Sequence, residues 1–116
     1  MKFKQQLLQM FELSDEQAEL IISRFIPEEL NKNELFLETG KPCKKLSLIE
    51  EGICRAFKWT DTKEVTQWIG GEGYFITDLA SFFFDNPSNW SIEALTPTKL
   101  WTLNKSDYLD IQQSIP

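Results

Sequence analysis

Apolar residues in the first quarter of the chain recur at helical spacing. Phe3, Leu7, Leu8, Met10 and Phe11 fall near a 3.6-residue period, and Ala18, Leu20, Ile21, Ile22 and Phe25 form a second stripe. Between them Ser14-Asp15-Glu16-Gln17 reads as a capping box, with Ser14 as N-cap and Gln17 reaching back from the third helical position. Pro27 is expected to end this helix, because a proline pushes the residue before it out of the α region. From about Leu30 the pattern becomes short alternating runs separated by turns: Glu34–Glu38, Lys45–Glu50, Ile53–Thr60, Glu64–Ile69, Asn89–Leu95 and Lys99–Leu103. Glu51-Gly52 suits a tight hairpin turn between the second and third runs. Along the third run Ile53, Arg55, Phe57 and Trp59 share one face, and Cys54, Ala56 and Lys58 the other. Gly70, Gly71 and Gly73 mark a loop. Asp78–Phe84 reads as one short helical turn capped by Thr77 or Asp78, and Asn104 or Ser106 is placed to cap a last helix over Asp107–Gln113. The predicted fold class is mainly β with flanking helices, an antiparallel β-roll or jelly-roll barrel. It forms one domain: N-terminal helices over 1–27, the roll over 30–104, and the start of a C-terminal helix over 105–116.

Composition changes this picture in three places. A chain of 116 residues with 41% hydrophobic and 13% aromatic residues holds enough apolar material for a single packed core. Its net charge of −6 argues against direct nucleic-acid binding by this segment, since that affinity comes largely from Lys and Arg displacing counterions. Lys41, Lys44 and Lys45 form the one tight basic group and are read as a solvated loop. The chain has no histidine, which removes imidazole metal sites and histidine-based triads, so neither catalytic nor metal-binding residues are assigned. Cys43 and Cys54 have no zinc spacing and are expected to be free, with Cys54 opposite Ile49 across the predicted hairpin. No window approaches the ~20 apolar residues needed to span a bilayer, and a cytoplasmic protein without membrane contact is expected.

The order of these elements, with a short helix inserted before the last two strands, resembles the effector domain of the Crp/Fnr family of bacterial transcription regulators, which share the cyclic-nucleotide-binding β-roll. Ile49-Glu50-Glu51-Gly52-Ile53-Cys54-Arg55 is similar to the family's hairpin ending in Gly, followed by an apolar-x-Arg strand. Gly40 fits the glycine closing the first strand, and Gly73-Tyr74-Phe75-Ile76-Thr77-Asp78-Leu79 is similar to the phosphate-binding cassette, usually Gly-x-x-x-Gly-Glu-Leu. The resemblance runs from about Leu20 to Pro116 and implies a ligand-sensing domain. Full-length members continue through a long dimerisation helix into a DNA-reading winged helix. The sequence reads equally as a piece of such a regulator or as a stand-alone sensor.

Two departures matter. The cassette glycine is Thr77 and the ribose-binding glutamate is Asp78; the arginine that pairs with the cyclic phosphate falls near Ser88, and none is there. Between Lys63 and Lys99 the chain has no Lys or Arg, while Glu64, Glu72, Asp78, Asp85 and Glu93 lie inside that interval. A phosphodiester entering a partly dry pocket needs a compensating charge. Cyclic AMP and cyclic GMP, the cofactors the resemblance implies, are therefore expected to bind weakly or not at all. The ligand-binding residues expected are Thr77, Asp78, Leu79, Ser81, Ser88, Asn89 and Trp90, which suit a neutral or cationic small molecule bearing hydroxyls and a flat apolar face. Trp59, Trp68 and Trp101 are read as packing, and Phe82-Phe83-Phe84 as a core plug that leaves at least one ring outside. Apolar surface left there is expected to meet a further helix or a second copy, with a homodimer among the expected assemblies. A pure interaction module with a pocket filled by Trp90 and the phenylalanines is the alternative.

Overall fold

The computed structural model of the chain describes Lys4, Gln5, Leu8 and residues 13–114. The predicted apolar positions Phe3, Leu7, Met10 and Phe11 lie outside the described residues. Helix α1 (Asp15–Arg24) starts on the capping box read from the sequence. The Gln17 amide donates to Ser14 Oγ at 3.1 Å, and the Ser14 amide donates to Gln17 Oε1 at 3.0 Å. Asp15 and Glu16 sit at the positive end of the helix dipole, and Ala18 and Ile22 are buried.

The chain leaves the helix directly into a strand, earlier than the predicted start near Leu30. Strand β1 (Ile26–Leu30) contains Pro27 and pairs antiparallel with β8 (Thr98–Asn104), with Pro27 opposite Trp101. Proline is tolerated because β1 is an edge strand, where a missing N–H breaks no second ladder. The segment Ile-Pro-Glu-Glu-Leu carries no alternation, so its strand character comes from the partner and not from its own pattern.

The remaining elements are β2 (Leu35–Leu37), β3 (Lys45–Glu51), β4 (Cys54–Trp59), β5 (Glu64–Gly70), β6 (Phe75–Ile76), α2 (Leu79–Phe84), β7 (Ser91–Ala94) and α3 (Lys105–Ser114). They form two four-stranded antiparallel sheets in the orders β1-β8-β3-β6 and β2-β7-β4-β5, not closed into a barrel. Gly70, read as part of a loop, is the last residue of β5, and Phe75 and Ile76 beyond that loop are strand, paired with Leu48 and Ser47. The last helix begins at Lys105, two residues before its predicted start.

Glu51-Gly52 is not a hairpin turn. Strand β3 belongs to the first sheet and β4 to the second, so Gly52 is the corner where the chain changes sheets. Its φ is +111°, and a Cβ there would lie 2.8 Å from the Pro97 carbonyl oxygen. The β7–β8 connection crosses beside it: the Leu95 amide donates to Ile53 O at 2.7 Å, and the Ile53 amide to Thr96 Oγ1 at 3.0 Å. Cys54 accordingly lies opposite Ala94 and Gly70, and not opposite Ile49. Both cysteines are buried and free.

The first sheet has two apolar faces. Ile49, Ile76 and Leu100 point into the roll, where Phe36, Cys54 and Ile92 meet them. Leu48, Phe75 and Leu103, at the alternate positions, point outward and pack with Ile22, Phe25 and Ile111 of the helical side. Lys45 is not a loop lysine: its ammonium bonds Glu28 Oε2 at 3.0 Å, and the same carboxylate accepts from Thr102 Oγ1 at 2.9 Å.

Candidate functional site

The loop from Gly73 to Trp90 carries the seven candidate residues. Asp78 is the N-cap of α2, its Oδ1 accepting from the Ser81 amide at 3.2 Å. Its second oxygen accepts from the Ser88 hydroxyl at 2.7 Å. Ser88 is 3% exposed, lies 2.9 Å from the Trp90 carbonyl oxygen, and accepts from the Trp90 amide at 3.1 Å. Asp78, Ser81, Ser88 and Trp90 therefore form one connected group. Where a phosphate-pairing guanidinium is implied, a serine hydroxyl already holds the carboxylate.

Ser81 is also committed. It is 1% exposed, its hydroxyl donates to the Asn86 carbonyl, and it accepts from the Cys43 amide at 2.6 Å. Thr77 donates to the Lys45 carbonyl oxygen at 2.9 Å and touches Cys43 Sγ at 3.5 Å. These bonds fasten the short helix to the start of β3. Leu79 is exposed and turns away from Asp78, into an apolar cavity shared with Thr77. Asn89 is exposed on the surface.

Helix α2 buries one ring of the phenylalanine triplet and exposes the other two, as 100° steps around a helix require. Phe82 is 1% exposed, whereas Phe83 and Phe84 are exposed. Phe82 and Phe83 both stand edge to face on Tyr108 of α3, at 5.4 and 5.6 Å between ring centres. Asp85, in the left-handed conformation at the end of α2, bonds Lys105 Nζ at 2.7 Å. The cassette helix is thus tied to the first and second turns of α3.

Two residues outside the candidate set bear on the site. Lys58 of β4 places its ammonium 4.7 Å from the centre of the Trp90 ring. The base-free interval between Lys63 and Lys99 did not reveal it, because β4 reaches β7 only through sheet pairing. Lys58 thus sets a positive charge beside one of the seven candidate side chains. Trp68 packs on the roll's core, and its ring stands where a Cβ on Gly70 would be. Register sets both opposite Ala56 and Cys54, and the half-buried indole packs against the core of the roll. Burial of Cys54 pushes its thiol above the ordinary range, so it holds little thiolate at neutral pH.

Among the described residues no group of His, Cys, Asp or Glu is arranged to hold a metal ion, and no helix is long and apolar enough to cross a membrane.

Comparison with known proteins agrees with this architecture. The sequence model of the family described as "Cyclic nucleotide-binding domain" matches residues 27–114. No curated protein matches the chain. The catabolite activator protein of Thermus thermophilus superposes with a TM-score of 0.80 at 23% identity, over 91% of this chain and 50% of that one. The regulatory domain of Toxoplasma gondii PKA, a co-crystal with cAMP, gives 0.83 at 17% identity over 95% and 43% of the two chains. The sensor domain of the transcriptional regulator DNR from Pseudomonas aeruginosa gives 0.73 at 20% identity over 97% and 81%. The chain spans half or less of the length of the first two. At these identities the likeness is one of fold.

Proposed function

The chain belongs to the cyclic nucleotide-binding domain family, and we propose that it is the ligand-sensing effector domain of a Crp/Fnr-like transcription regulator that does not take cyclic AMP or cyclic GMP in the family's usual way. It works in the cytoplasm as a binding module and not as a catalyst. The observation that carries the reading is the Asp78–Ser88 hydrogen bond at the position where a cation is implied. An entering phosphodiester meets a carboxylate and gains no guanidinium. Charge-assisted hydrogen bonds contribute roughly 1.5–3 kcal/mol each, so the loss amounts to about two decades of affinity or more.

The ligand is a neutral small molecule with hydroxyl groups and a flat apolar face. Asp78, Ser88 and Asn89 supply the polar contacts, Trp90 the flat one and Leu79 an apolar one at the rim, while Thr77 and Ser81 hold the surrounding backbone. Lys58 on the Trp90 ring disfavours a cation there, as Asp78 disfavours an anion. Signalling runs through α2: a ligand that engages Asp78 competes with Ser88, loosens the N-cap, and shifts the Phe82–Tyr108 and Asp85–Lys105 contacts onto α3.

Calorimetry with cyclic AMP and cyclic GMP tests the reading; dissociation constants weaker than micromolar are expected, and micromolar or tighter binding of either nucleotide overturns it. A thermal-shift screen of neutral metabolites should find stabilisers whose effect is lost in Trp90→Ala. The interaction-module alternative is supported by exposed Phe83 and Phe84; a screen without any stabiliser favours it.

A further inference from the structure

On the outer side of the first sheet the helices leave a cavity of about 630 Å³. This is within the roughly 300–1,000 Å³ of small-molecule sites. Its walls are Ile21 and Phe25 at the end of α1, Leu79 and Phe83 of α2, and Tyr108 and Ile111 of α3. Leu46, Phe75 and Leu103 from the outward face of the sheet close its base. Among the described residues, Asp78, Ser81, Ser88, Asn89 and Trp90 do not line it, and neither does any Lys, Arg, Asp or Glu. The Thr77 hydroxyl at its edge is already given to the Lys45 carbonyl.

We propose that this cavity is a second binding site, for a neutral, largely hydrocarbon small molecule. The proposal does not rest on the reading of the Asp78–Ser88 group. The chemical class follows from the walls. A charged ligand would lose its hydration and meet no counter-charge, whereas apolar surface gains by leaving water. Collapse is resisted because the Phe82, Phe83 and Tyr108 rings prop one another edge to face at 5.4–5.6 Å, and the Asp85–Lys105 pair pins α2 to α3 behind them. A recess walled by three helices also fits a small molecule better than the broad matching surface that a second copy requires. Occupancy would hold α2 against α3, so the site bears on the same element that carries Asp78.

The test is titration of the full chain with N-phenyl-1-naphthylamine, a neutral apolar fluorophore. Saturable one-to-one binding with blue-shifted emission is expected, reversed by 1-decanol and at least tenfold less well by decanoate. Leu79→Glu puts a charge at the exposed rim and is expected to weaken binding at least tenfold while the circular dichroism spectrum is kept; if that variant does not fold, Phe83→Glu serves the same purpose. Trp59→Ser, which removes an exposed ring on a distant strand, should bind the fluorophore as the parent does. Non-saturating emission, equal displacement by decanoate, parental binding by both rim variants, or loss of binding in Trp59→Ser each overturns the proposal. So does sedimentation showing that the fluorophore binds only to a dimer.

Discussion

At Ser88 a buried hydroxyl with three neighbouring partners stands where the resemblance implies a guanidinium. Replacing it with alanine leaves one oxygen of Asp78 and the Trp90 amide without that partner, a loss of about 1–2 kcal/mol. Thermal unfolding of Ser88→Ala checks this, and an unchanged melting temperature would show the group to be solvated in solution. The opposite change, Ser88→Arg, is expected to raise cyclic AMP affinity at least tenfold in calorimetry. Arg55 is the other residue whose effect has a definite sign. It bonds Glu93 at 2.7 Å and Glu64 at 2.6 Å, and the second pairing holds the Glu64 carboxyl below its ordinary 4.5. A lowered carboxyl stabilises the fold above its unfolded value, and that contribution fades as pH falls through the folded one. In urea unfolding, the stability gap between the parent and Arg55→Leu should therefore be larger near about pH 7 than near about pH 3. Parallel pH profiles would refute it. The departures at Thr77, Asp78 and Ser88 were legible once the family resemblance was laid along the sequence. Lys58 beside Trp90 was not, because its place depends on which strands pair.

Among the elements, the corner at Gly52 and the loop at Gly73 separate two roles of glycine. Both have positive φ, but a Cβ on Gly52 meets the crossing β7–β8 connection, whereas one on Gly73 meets nothing within 4 Å. Gly52→Ala should cost about 2–4 kcal/mol, strain plus clash, and Gly73→Ala only about 1–2 kcal/mol. Equal losses in chemical denaturation would mean that the crossing connection yields freely. Strand β1 shows the limit of periodicity: Ile26-Pro27-Glu28-Glu29-Leu30 has the composition of a helix exit, and only β8 makes it a strand. Helix α2 was readable for the opposite reason, since Asp78 as cap and three successive rings state both its start and its mixed burial.

At the scale of the whole molecule the described residues form two apolar clusters, one between the sheets and one between the first sheet and the helices. The second joins α1 and α3 to a roll that has its own interior. Ile111→Ala should lower stability by about 2–4 kcal/mol. In hydrogen exchange it should speed the α1 and α3 amides while β4 and β7 keep their protection. Uniform acceleration across all strands would show instead that helices and roll open as one unit.

The sequence by itself determined the capping box of α1, the run of short strands and the short helix capped by Thr77 or Asp78, because each rests on neighbours within a few residues; the missing cation near Ser88 is a departure only against the family resemblance. Only the tertiary structure decided that Glu51-Gly52 turns a corner between sheets, that Pro27 lies in a strand and that Lys58 meets Trp90. Those outcomes depend on which distant segments share a ladder, and a strand's own alternation names a buried face without naming what will lie against it.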